Sequence, residues 1–268
     1  VRLTSLYRSP APWHPATAWA WFASVVVLVT AGASHGIDSG VRGAIVTFVA
    51  WATVRELAPR RAVASLLAPF AAVAFAIPAE TDVLACVGVL LAARIALRSV
   101  GDPPTALDGV LLVGLAAWLA TRPAGLPVAV VLSAACYADA PPRRLRGAGL
   151  LMLVVAIGVG ALEGTLTFRP GWDDPAVGSQ VLLALLLAAS VVLVAWPLPA
   201  RLRATDDRGR GSLDGRRLRS ARLVVVACVL ATFAWTGTEG AFALSAASAG
   251  IVAAALGPPG ARAAARDR

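Results

Sequence analysis

The sequence predicts an all-α integral membrane protein, a polytopic bundle of about ten transmembrane helices with both termini cytoplasmic. Three observations predict it. The chain is 58% hydrophobic and 15% charged, where an average soluble domain carries about 25% charge. Ten apolar stretches follow one another between Thr17 and Leu256, separated by short polar gaps. The basic residues also alternate from gap to gap. One set of gaps holds Arg2 and Arg8, then Arg55, Arg60 and Arg61, then Arg94 and Arg98, then Arg143, Arg144 and Arg146, then the run from Arg201 to Arg222, then Arg262, Arg266 and Arg268. The intervening gaps hold only Arg42, Arg122 and Arg169. Arginine near helix ends is retained in the cytoplasm during insertion, so the rich set is expected inside.

The elements follow in order. The first span, 17–33, opens on Trp19 and Trp21. Its Ala31-Gly32-Ala33 resembles a signal cleavage site, but the run is long and Trp-rich for a signal segment. The second, 41–54, is the weakest, with an apolar run only from Gly43 to Val54. The third, 62–78, follows Arg60-Arg61 and contains Pro69, a point for a kink. The fourth, 83–99, ends with Arg94 and Arg98 four residues apart on one helical face. The fifth, 107–122, starts behind Thr105, a capping residue, with Asp108 in its first turn. The sixth, 124–138, follows a tight turn at Arg122–Pro127. The seventh, 147–163, closes inside Gly160-Ala-Leu-Glu163-Gly164, a spacing that admits a close helix neighbour.

The eighth span, 179–196, ends at Trp196. Residues 197–221 read as a flexible cytoplasmic linker rich in Gly and charge. The last two spans, 222–237 and 240–256, turn at Gly237–Gly240. Ala241, Ser245 and Ala249 form a small-residue packing seam in the tenth. Tryptophan supplies a check independent of charge: none of the eight falls at a span centre, as expected of an interface-seeking ring.

The net charge of +9 does not indicate nucleic acid. Every basic residue is Arg, and the charges are dispersed over loops rather than gathered on one face. Attraction to anionic lipid headgroups, ~1 kcal/mol per basic residue near the surface, accounts for them. An Ala- and Arg-rich chain without Lys points to a GC-rich bacterial genome, and so to the bacterial inner membrane. Cys86, Cys136 and Cys228 lie in apolar segments and lack metal-type spacing. His35 and Asp38 are two ligands where a zinc site needs three or four. No phosphate loop, zinc helix or nucleophile elbow is present. No catalytic residue, cofactor or metal is therefore expected.

Ionisable residues inside a bilayer mark function, and none lies near a span centre here. This argues against a proton relay through the membrane. The remaining candidates sit at span ends. Arg94, Arg98 and Asp108 form either a hairpin clamp, with Arg94 paired to Asp108, or a phosphate pocket for a lipid or nucleotide. Glu163 is either an exposed interfacial carboxylate or a ligand for a cation or donor group at an external vestibule, and Glu239 caps the last external turn with Thr236 and Thr238. The outer gaps as a whole are acidic, through Asp38, Glu80, Asp82, Glu163, Asp173, Asp174 and Glu239.

Three functions fit this pattern. A permease or carrier for a small neutral or weakly charged solute agrees with the many spans and short loops. A non-catalytic scaffold subunit of an envelope or secretion complex agrees with the scarcity of intramembrane polar groups, and would bring a membrane-protein partner. A membrane enzyme acting on a lipid-linked substrate would use the end-of-helix charges.

Overall fold

Side-chain caps start α4, α5 and α9, and glycine makes the turns at Gly36 and Gly237. The computed structural model describes residues 15–59, 61–77, 80–98, 105–138, 145–167, 177–198, 201–205 and 212–257. Eleven helices account for nearly all of them: α1 (Pro15–His35), α2 (Ile37–Leu57), α3 (Ala62–Ala76), α4 (Val83–Leu97), α5 (Ala106–Ala120), α6 (Gly125–Tyr137), α7 (Arg146–Leu162), α8 (Val177–Ala195), α9 (Gly215–Thr236), α10 (Thr238–Ala243) and α11 (Ser245–Leu256). Two short strands, β1 (Arg201–Thr205) and β2 (Ser212–Asp214), pair antiparallel between α8 and α9.

Gly36, at φ 91°, is the whole connection between α1 and α2. A side chain is strained in that left-handed region, so glycine is required there. The two helices then run so close that a Cβ at Gly40 would lie 2.5 Å from the Leu28 carbonyl oxygen. His35 and Asp38, expected in a loop, are instead the end of α1 and the first turn of α2. α5 opens on a capping box: Asp108 N–H donates to Thr105 Oγ1 (3.2 Å) and Thr105 N–H to Asp108 Oδ2 (2.7 Å).

α9 starts at Gly215, two turns before the expected residue 222. Asp214 caps it, accepting from Arg216 N–H at 2.8 Å. Leu218 and Ala221 bury this extension against Leu97 of α4. The stretch expected as a linker therefore contains a hairpin and two helical turns.

The core sits around α11. Every residue from Ser245 to Ala254 is buried, enclosed by α2, α3, α4, α8 and α9. Its many Ala, Ser and Gly residues permit that enclosure, and Gly250 faces Thr53, whose Cγ2 would lie 2.8 Å from an added Cβ.

Side-chain contacts between helix termini divide the bundle into two ends. One end gathers Glu56, Arg61, Arg94 and Arg222. The other gathers the α1–α2, α3–α4, α5–α6 and α9–α10 connections. Contacts between elements link like ends, as with Trp235 Nε1–H donating to the Thr165 carbonyl (3.2 Å) and Arg146 to the Tyr137 hydroxyl (2.6 Å).

The bundle has an apolar core and also carries large apolar side chains on its outside. Phe70 (65% exposed), Val110 (69%), Val154 (67%) and Val191 (68%) face outward on four different helices. Glu56, Asp108 and Arg222 lie inside. Soluble proteins rarely expose such continuous apolar faces. Three helices, Thr17–His35, Ile37–Leu57 and Gly215–Thr236, are long and apolar enough to cross a membrane. Seven further apolar helices are shorter. The fold is all-helical apart from the small hairpin, and its surface is consistent with a membrane protein.

Candidate binding cleft at the helix break

Asp82 organises this site. Its Oδ1 caps α4 by accepting from Ala85 N–H at 3.0 Å, and its own N–H donates to the Ala243 carbonyl at 3.0 Å. Ala243 is the last residue of α10. The helix breaks at Leu244 (φ −92°, ψ 36°) and resumes at Ser245. The segment expected as one span, 240–256, is thus a broken helix. Groups released at the break find partners on α4 and α11. The Cys86 thiol donates to Ala243 O (3.7 Å), Thr81 and Ser245 hydroxyls meet at 2.9 Å, and Ser248 donates to Ala241 O (2.9 Å).

Four charges converge in front of the break. Arg122 Nη1 stands 3.5 Å from Asp82 Oδ2, with its guanidinium 5.8 Å from the Trp118 ring. Arg42, from α2, pairs with Glu80. All four line a cavity of about 720 Å³ that Ala243 also borders. Two cations and two carboxylates cancel, so this cavity is neutral.

A second cavity, of about 640 Å³, opens between α1, α2 and α3 and shares Arg42, Glu80 and Thr81 with the first. Its wall is apolar, formed by Val27, Val46, Ala72, Val73 and Ala76. Its polar lining includes Thr30, Ser34, His35, Ser39 and Thr47. Each of the four hydroxyls donates its proton back into the helices: Thr30 to Val26 O, Ser34 to Thr30 O and Thr47 to Gly43 O at 2.8 Å, and Ser39 to His35 O at 3.2 Å. What these hydroxyls retain for a ligand is oxygen lone pairs, that is, acceptors.

The residues singled out from the sequence lie elsewhere. Arg94 Nε meets Glu56 Oε1 at 3.2 Å across α4 and α2, where Asp108 was the expected partner. Asp108 is fully buried in its capping box. Arg98 does not continue the α4 face that carries Arg94: it ends the helix in the left-handed conformation at φ 53°. Glu163 ends α7 and Glu239 opens α10, both exposed and neither lining the two cavities.

The opposite end is a structural anchorage. Arg222, 2% exposed, donates from Nε to Leu57 O (3.1 Å) and from Nη1 to Leu193 O (3.0 Å). Arg61 donates to Ala254 O (2.7 Å) with its guanidinium 4.4 Å from the Trp196 ring. Burial pulls Arg61 below the ordinary arginine pKa. The two arginines thus tie the C-terminal ends of α2, α8 and α11, where the helix dipole favours a cation.

Sequence reasoning singled out neither Arg42 and Arg122 as partners of Glu80 and Asp82, nor the break. Glu80 and Asp82 read as acidic turn residues. No protein family, curated protein or solved structure matches this chain.

Proposed function

We propose that the chain is a multi-pass protein of the bacterial inner membrane that carries a small neutral or weakly charged solute, admitted through the cleft at the helix break. The observation that carries this reading is the pair of adjoining cavities, with balanced charge at the mouth, an apolar wall below and a discontinuous helix beside them. Broken helices line solute sites in many carriers because they leave backbone and hydroxyl groups available to a ligand. The buried small-residue helix α11 lets its neighbours pack closely around the broken segment.

Taking α10 and α11 as one crossing gives ten crossings. The end holding Arg61, Arg94 and Arg222 faces the cytoplasm, because arginine is retained there. The cleft then opens outward. The apolar outer faces meet lipid, and the exposed arginines of α9 lie at the level of anionic headgroups.

The test is solute uptake by proteoliposomes containing the purified full chain, across ions, sugars, amino acids and nucleotides. A neutral or weakly charged solute should accumulate, and Gly43→Leu, which places a side chain where a Cβ already meets Val27 Cγ1 at 2.8 Å, should abolish uptake. Glu163→Gln and Glu239→Gln should leave it unchanged. No uptake of any solute, together with a membrane protein that co-purifies in fixed proportion, would replace the carrier with the scaffold.

A further inference from the structure

The charge pattern of the mouth defines a class of ligand, and this deepening rests on the carrier reading above. Arg42 and Glu80 border both cavities, while Asp82 and Arg122 border the larger one. Glu80 and Asp82 come from the same connection, between α3 and α4. Arg42 comes from α2 and Arg122 from the α5–α6 turn. The carboxylates are thus two residues apart in the chain, and each arginine reaches one of them from another element.

Consider what can enter such a mouth. An anion that takes Arg42 leaves Glu80 without its cation, and an ammonium that takes Glu80 leaves Arg42 without its anion. A molecule carrying both groups replaces both halves of the pair at once. It exchanges one ion pair for two and leaves the net charge of the mouth at zero. The cost of opening the pair is small, because Arg42 and Glu80 are 55% and 79% exposed and an exposed pair contributes little. The hydroxyl lone pairs of Thr30, Ser34, Ser39 and Thr47 add acceptors that suit an ammonium N–H. The wall of Val27, Val46, Ala72, Val73 and Ala76 suits an apolar body behind the charged groups.

We infer that the cleft binds a zwitterion, a molecule bearing an N–H-donating ammonium and an anionic group close together on an apolar body. Two sources present this chemistry. One is a free amino acid with an aliphatic side chain. The other is the phosphoethanolamine headgroup of a membrane lipid, which could enter from the bilayer between α1 and α3.

The experiment is thermal unfolding of the full chain in phosphatidylglycerol nanodiscs, which contain no ammonium headgroup. L-leucine is compared with isoamylamine, which has the cation alone, and isocaproate, which has the anion alone. In the second arm the discs contain phosphatidylethanolamine or phosphatidylcholine, whose quaternary ammonium has no N–H. The expected result is that leucine, or phosphatidylethanolamine, raises the midpoint by roughly 5–10 °C near saturation. The single-charge compounds and phosphatidylcholine should give no such rise.

Arg42→Gln and Glu80→Gln should each remove the response while leaving the ligand-free midpoint in place, since both side chains are exposed. Glu163→Gln should retain it. A response to leucine assigns a free solute, and a response to phosphatidylethanolamine alone assigns a lipid. An equal response to isoamylamine or isocaproate, or no response in either arm, would overturn the proposal. Uptake measured in parallel separates the two claims. Zwitterion binding without uptake keeps the site and removes the carrier, whereas uptake of a sugar without zwitterion binding keeps the carrier and removes this ligand class.

Discussion

Arg222 shows how a single residue sets the order of one end of the bundle. It lies on α9, is 2% exposed, and reaches the carbonyls of two other helices, Leu57 on α2 and Leu193 on α8. Methionine fills similar space but donates nothing, so Arg222→Met leaves two buried acceptors without this donor. Unsatisfied buried groups cost about 1–3 kcal/mol each, and a loss of about 2–5 kcal/mol follows. Thermal unfolding in nanodiscs measures it. A loss below 1 kcal/mol would show that water or a neighbour replaces the guanidinium. The same residue shows what a sequence conceals. Arg222 reads as one more topological arginine in the run from Arg201, and its burial depends on packing between segments 165 and 29 residues away. The cleft charges are similar. Glu80 and Asp82 are legible as acidic turn residues, but their meeting with Arg42 and Arg122 depends on how the α3–α4 connection, α2 and the α5–α6 turn assemble.

At the scale of elements, apolar runs and glycines carry most of the information, and tertiary contacts supply the rest. The tenth segment is uniformly apolar and small, so hydrophobicity gives no reason to divide it. The sequence Ala241-Phe-Ala-Leu-Ser245 contains no proline or glycine at the break. The break is held by Asp82 N–H and the Cys86 thiol on Ala243 O, contacts that local patterning does not express. The start of α9 was hidden differently. Leu218, Ala221 and Val225 mark a buried face, but Arg216, Arg217 and Arg219 around its start lower the mean hydropathy. By contrast, the Thr105 cap of α5 was readable because it needs only neighbouring residues.

Close helix approach is directly testable. Gly250→Ala should cost about 1–3 kcal/mol through overpacking against Thr53. Thr53→Ser, which removes the Cγ2 in the way, should recover part of that loss in the double mutant, and strict additivity would refute the contact. Gly40→Ala should weaken the α1–α2 pairing by a similar amount, because its Cβ meets backbone on α1 that cannot move aside.

For the whole molecule, helix length and charge make separate predictions. α3, α4 and α5 are 15 residues each and α6 is 13. At 1.5 Å per residue these helices are roughly 20–23 Å long, short of a ~30 Å hydrocarbon core. α1, α2 and α9, with 21 or 22 residues, match it. Short helices should favour a thin bilayer, so the unfolding midpoint is expected to be higher in nanodiscs of 14-carbon lipids than of 20-carbon lipids. The reverse order would mean that residues flanking these helices complete their spans.

Charge predicts orientation, and the orientation is what the functional reading depends on, since the cleft must open outward. The three cysteines are buried, so the native chain provides a quiet background for thiol labelling. Single cysteines at Asp38, Glu163 and Glu239 report on the cleft end, and at Gly147 and Ser220 on the arginine end. Gly147 has open space for a side chain, and Ser220 is exposed. The measurement is labelling of each variant by a membrane-impermeant maleimide in intact spheroplasts and again after permeabilisation. The ten-crossing arrangement predicts that Asp38→Cys, Glu163→Cys and Glu239→Cys react in intact cells, while Gly147→Cys and Ser220→Cys react only after permeabilisation. Labelling of Gly147→Cys or Ser220→Cys in intact spheroplasts would contradict it.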